Sequence, residues 1–320
     1  MKSVVIALLA LPSVATAFIP SALHSRKMII AGRASTRAAA TAEGTTSEVD
    51  DAVEEKLAAA LAEDIMAVPP ADASSVFVLP DATAVGVSVF DCVDEAAEAA
   101  IAEKGHFLLG IPGGSILKML AGTAPSWASK TTVAYVNHKC VDMGDEKLAT
   151  HAKACKLFLD DWEGINVITL GGSGDSAAEA ASYEKAMRDD SNIPTDPETG
   201  LPVFDMMLVG VGDDGHVGSL YPDRDEVLVS GGDQWVLPVD MKTPGSITLS
   251  LPVMAGAKEV VIAACGVSDK YPQGKSAGMV RAIEGLETLV SFPASGLRGK
   301  SVWILDEAAA SKLSPAYTSK

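Results

Sequence analysis

The chain has 320 residues, 48% of them hydrophobic, with a formal net charge of −17 and four cysteines. That apolar content can build a substantial core and excludes global disorder. The acidic balance argues against nucleic acid and anionic lipid as partners of the mature chain, and four cysteines without a C-x-x-C pair argue against a disulfide scaffold or a metal cluster.

Charge is unevenly placed. Residues 1–42 hold five basic groups and no acid, so the remainder carries 20 basic against 42 acidic groups. MKSVVIALLALPSVATAFIP combines a lysine, a short apolar run and a small-x-small A-T-A, the pattern of a signal peptide over residues 1–17. SALHSRKMIIAGRASTRAAATA follows, rich in Ser, Ala and Arg and free of acids, as in an organellar transit peptide over residues 18–45. The tandem resembles the bipartite presequence of algae with secondary plastids, cleaved before Phe18, and implies the plastid stroma. A secreted protein with a basic leader is the alternative, opposed by the lack of a cysteine framework. Residues 46–74, acidic and Ala-rich, read as a linker or an N-terminal helix.

From residue 75 onward apolar runs alternate with helical patterns. Strands are predicted at 75–79, 86–90, 106–111, 132–137, 166–170, 204–211, 246–250, 259–265 and 301–305. Helices are predicted in DCVDEAAEAAIAEK, with Asp91 as N-cap, in SILKML, in DSAAEAASYEKAMRDD and in KSAGMVRAIEGL. SNIPTDPETGLP (191–202) reads as a surface loop. The pattern predicts an α/β fold: one Rossmann-like, doubly wound, mostly parallel sheet with helices on both faces, spanning 75–320 as one domain.

GVGDDGHVGSLYP (210–222) follows the apolar run FDMMLV. Gly210, Gly212 and Gly215 satisfy G-x-G-x-x-G, but a dinucleotide site needs a long helix from Gly215, and Pro222 caps that segment at about two turns. The alternative is a tight glycine loop at the carboxyl end of a strand that presents His216, a group able to move protons near neutral pH, oriented by Asp214. A second glycine loop, PGGS (112–115), follows another strand. Gly113, Gly114 and the Ser115 hydroxyl there suit a phosphate at a helix N-terminus.

FDMMLVGVGDDGHVGSLYP, HFLLGIPGGS, DSAAEAASYEKAM, SITLSLPVMAGAKEVVIAACG, KSAGMVRAI and FPASGL resemble, in this order, segments of the 6-phosphogluconolactonases, from about Val76 to Leu313. These belong to the NagB-like sugar-phosphate superfamily. The resemblance implies hydrolysis of 6-phospho-D-glucono-1,5-lactone with His216 as base and Asp214 beside it. Gly212, Gly215, Gly113, Gly114, Ser115, Lys139 and Lys275 would bind substrate or its phosphate, Lys270 being the runner-up to Lys275. It implies no cofactor, no metal, a phosphorylated sugar lactone as partner, no membrane contact in the mature form, and a monomer or weak homo-oligomer. The chain departs from the family at Asn137-His138-Lys139, where an acid pair and an arginine are usual, at Ile116 and at Ser246. His138 is there either a second titrating group or a solvated loop residue. A sugar-phosphate isomerase or deaminase of the same fold, and a phosphosugar-binding protein without turnover, are the competing readings.

Overall fold

The computed structural model describes residues 68–122, 124–229, 234–267 and 274–319. The presequence read at 1–17 and 18–45, most of the 46–74 segment, and Lys270 lie outside the described residues. Ten strands form among the described residues: β1 (Val76–Leu79), β2 (Phe107–Ile111), β3 (Thr131–Tyr135), β4 (Asn137–Lys139), β5 (Asn166–Val167), β6 (Met206–Val209), β7 (Val236–Val239), β8 (Ser246–Leu249), β9 (Glu259–Ala264) and β10 (Ser301–Asp306). Seven of them make a parallel sheet in the order β1-β10-β9-β6-β2-β3-β5, and β4-β8-β7 make a small antiparallel sheet beside it. The predicted doubly wound parallel sheet is therefore present, with an antiparallel addition.

Every residue of β2 and β6 is buried, as strands covered on both faces require. The chain runs outward from β2 through β3 to β5, returns to β6 on the other side of β2, and runs outward again to β9 and β10. The winding direction thus reverses between β2 and β6. Ligands of such sheets gather in the crevice beyond the strand ends at that reversal. The loops leaving these two strands are PGGS and GVGDDGH.

Helix α1 (Ala82–Lys104) absorbs the strand predicted at 86–90. Its buried positions, Val85, Ser88, Val89, Cys92, Val93, Ala96, Ala97 and Ala100, recur three and four apart, which is a helical stripe. The cap is Asp81, whose carboxylate accepts from the amides of Thr83 and Ala84, not Asp91, which is exposed in mid-helix. The segment predicted at 166–170 contributes only two strand residues, although the Ile168 amide still bonds to the Val133 carbonyl. SILKML is a six-residue 3-10 turn, and α2 (Thr150–Ala154) is a single turn. Helices α3 (Ser176–Asp189), α4 (Leu251–Ala255) and α5 (Ser276–Ile283) follow, α3 capped by Asp175. Among the described residues no helix is long and apolar enough to cross a membrane.

Candidate active site

Beyond β6 the chain folds back on itself over seven residues. The Gly212 amide donates to the His216 carbonyl at 2.9 Å, and the Gly215 amide to the Gly212 carbonyl at 3.0 Å. Both glycines are required by close approach. A Cβ on Gly212 would lie 2.1 Å from His216 Nδ1, and one on Gly215, where φ is +86°, would lie 2.4 Å from the Phe292 ring. The two residues are buried with their N–H groups donated inside the loop. They shape the loop. After Gly215 the chain makes short bridges, Val211 to Val217 and Val217 to Leu220, and no helix. A pyrophosphate would find no helix N-terminus there, and the dinucleotide reading ends.

His216 emerges half-buried, with Nδ1 2.6 Å from Asp214 Oδ1; the same oxygen accepts from the His216 amide at 3.2 Å. Burial works to raise the Asp214 carboxyl, but the adjacent imidazole and amide outweigh it and hold the group below the usual carboxylate range. An ionised carboxylate only accepts, so Nδ1 carries a proton, and in the neutral ring the lone pair is on Nε2. The Tyr221 ring lies against the imidazole, 4.9 Å between centroids and tilted by 35°. Lys242, on the hairpin between β7 and β8, sits over Tyr221 with Nζ 4.4 Å from the ring centroid. Neither Tyr221 nor Lys242 stands out in the sequence, because their link to His216 is formed by the fold.

The PGGS loop reaches the same crevice. Gly114 takes φ of +94°, and Gly114 and Ser115 are exposed at its mouth, while Ile116 is buried beneath and directed toward Gly210. Asn137 joins the two loops: Oδ1 accepts from the Gly113 amide at 3.5 Å, and Nδ2 donates to Ser219 Oγ at 3.2 Å. Lys139, two residues along β4, shares the strand face of Asn137 and pairs across the strands with Ser246.

His138 points the other way and is 1% exposed. Its Nε2 accepts from the His151 amide at 3.0 Å, so Nδ1 carries the proton and donates to the Lys139 carbonyl at 2.6 Å. Burial pushes its pKa down to about 4. It is neither a second titrating group of the site nor a solvated loop residue: it is a neutral tie between β4 and α2. Lys275 precedes α5 and donates from Nζ to the Val211 carbonyl at 3.0 Å, which brings it to the signature loop. Gly278 lets α5 approach that loop closely, since a Cβ there would lie 3.0 Å from the Asp213 carbonyl oxygen.

Residues 80–303 match the family model described as glucosamine-6-phosphate isomerases/6-phosphogluconolactonase. The chain belongs to this family. Relatives within it include the 6-phosphogluconolactonases of Bos taurus, 32% identical over 271 residues, and of Homo sapiens, 30% identical over 271 residues. Each alignment covers 79% of this chain and 98% of the relative. The 6-phosphogluconolactonase 3, chloroplastic, of Arabidopsis thaliana is 28% identical over 228 residues, covering 66% of either chain. Solved 6-phosphogluconolactonase structures from Leishmania guyanensis (TM-score 0.62, 21% identity, 75% of this chain and 98% of that one) and Trypanosoma brucei (TM-score 0.61, 21% identity, 77% and 100%) share the fold.

Proposed function

We propose that the protein is a hydrolase acting on a lactone ester, that it opens 6-phospho-D-glucono-1,5-lactone to 6-phosphogluconate in the oxidative pentose phosphate pathway, and that residues 75–320 form its catalytic domain. The observation that carries this reading is the Asp214–His216 pair, 2.6 Å apart, at the winding reversal and tied through Asn137 to the PGGS loop. The named relatives supply the substrate class.

In the proposed reaction His216 Nε2 takes a proton from water as its oxygen attacks C1. A bond forms between that oxygen and C1, and the bond between C1 and the ring oxygen breaks. The imidazolium returns the proton to the ring oxygen, which leaves as the C5 hydroxyl, and the new carboxylic acid ionises. Asp214 holds the ring in the tautomer that puts the lone pair on Nε2 and stabilises its protonated form. Gly113, Gly114 and Ser115, with Lys275 and Lys139, are the proposed grip for the distal phosphate. The chemistry asks for proton transfer and anion binding, which these side chains supply. We place the enzyme in the plastid stroma, on the bipartite pattern of residues 1–45 and the chloroplastic relative in Arabidopsis.

The test is lactone opening followed by proton release, with wild type and His216→Ala in parallel. Loss of the base is expected to cost on the order of 10²- to 10⁴-fold in kcat. Equal rates for the two proteins remove His216 from the role.

A further inference from the structure

Lys242 is attached to the site by a route separate from the residues assigned to the phosphate. Its Nζ donates to Tyr221 Oη at 3.2 Å and lies 4.4 Å over that ring, while the ring lies 4.9 Å from the imidazole of His216. Imidazole, phenol and ammonium thus form one line of contacts. Asp214 engages the imidazole at Nδ1. Lys242 is exposed, and an ammonium has three N–H donors, of which Tyr221 receives one. The others are available to a ligand lying against His216. On a chain of net charge −17, an ammonium seated on an aromatic ring beside the base provides a local attraction for negative charge.

Building on the lactonase reading, we propose that Lys242, seated on Tyr221, binds the C1 end of the substrate, meeting the negative charge that grows on C1 during attack and remains as the product's carboxylate. The base has to reach the water attacking C1, so C1 lies next to His216, and Lys242 is the cation that the Tyr221 ring links to that imidazole. The distal phosphate lies at the far end of the sugar chain, toward PGGS. The lactone carbonyl is neutral in the ground state and charged in the transition state. A cation at this end therefore contributes more to the transition state than to substrate binding.

Lys242→Met tests this, with Lys242→Arg as the charge-keeping control. Because the side chain is exposed, both variants are expected to keep the wild-type melting temperature. For Lys242→Met, kcat is expected to fall about threefold to fivefold, the scale of one exposed ionic contact, with KM nearly unchanged. Calorimetric affinity for 6-phosphogluconate falls by a similar factor, affinity for inorganic phosphate stays the same, and Lys242→Arg restores most of the loss. Equal 6-phosphogluconate affinities and rates in wild type and Lys242→Met overturn the inference. So does a parallel loss of phosphate affinity, or a raised KM at constant kcat, either of which puts Lys242 at the phosphate end. Absence of lactone turnover in the wild type overturns instead the function proposed above, and is told apart by the unmutated protein alone.

Discussion

His216 is positioned by contacts that tolerate almost no added volume. A methyl group on Gly212 would occupy the space of Nδ1, 2.1 Å away, and would also lie 2.6 Å from Asp214 Oδ1. Neither neighbour can yield without breaking the hydrogen bond that fixes the tautomer. Gly212→Ala is therefore expected to turn the imidazole out of line and lower kcat/KM about 10²-fold, the usual consequence of a misplacement near 1 Å. Gly215→Ala shifts the cost toward stability, because its φ of +86° disfavours any side chain and Phe292 blocks the space. Kinetics paired with thermal melts separate the two. A Gly212→Ala enzyme with wild-type kcat/KM would show that the ring does not need the pose described here.

At the scale of elements, α5 approaches the signature loop through Gly278. Gly278→Ala sets two effects against each other. Alanine in a helix interior is worth up to about 1 kcal/mol over glycine, whereas its Cβ would sit 3.0 Å from the Asp213 carbonyl and 3.1 Å from the Asp213 Cα. The contact is relieved by a few tenths of an ångström of helix displacement, so the expected melting temperature changes by only a few degrees. The same displacement reaches the loop that carries Asp214 and His216, and kcat/KM is expected to fall severalfold. A stabilised variant with full activity would show that the helix and the loop move independently. The elements also explain what could be read from the chain alone. Strands β2, β6, β9 and β10 are predominantly apolar runs, and all four were legible. GVSVF failed because its alternation fits a strand while its Val85-Ser88-Val89-Cys92 spacing fits a helix, and the Asp81 cap settles the matter upstream of the Asp91 N-cap expected from sequence. β4 is separated from β3 by Val136 alone, and β7 contains Pro238, so neither had a readable boundary; β7 lies at a sheet edge, where proline is tolerated. The Asp214–His216 pair is a local, two-residue relation and was legible. Asn137 bridging Gly113 to Ser219, and Lys242 reaching Tyr221, span 21 to 82 residues of sequence and arise only from the topology.

Across the whole molecule, acid stability turns on histidines that are kept neutral. His138 ties β4 to α2 through both ring nitrogens, and burial pushes its pKa down to about 4, against about 6.5 in an unfolded chain. The unfolded state therefore binds a proton as pH falls below 6.5, whereas the folded state resists until about 4. Stability contributed by the neutral ring is complete above pH 6.5, is lost progressively down to about pH 4, and is flat below. The gap corresponds to about 3 kcal/mol for this one buried group. Desolvation also depresses His106 and His151, which act in the same direction with smaller weight. Relief of surface repulsion opposes them as carboxylates protonate, but Asp214, Glu226 and Glu287 are held below the ordinary carboxylate range and keep their charge longer. Urea unfolding at pH 7 and pH 5, compared between wild type and His138→Gln, isolates the term. Glutamine lowers stability at pH 7, yet it cannot titrate, so the variant is expected to lose less stability than wild type between the two pH values. If wild type and variant lose equal amounts, His138 is not the group whose protonation unfolds the protein, and the acid sensitivity belongs to the two less buried histidines.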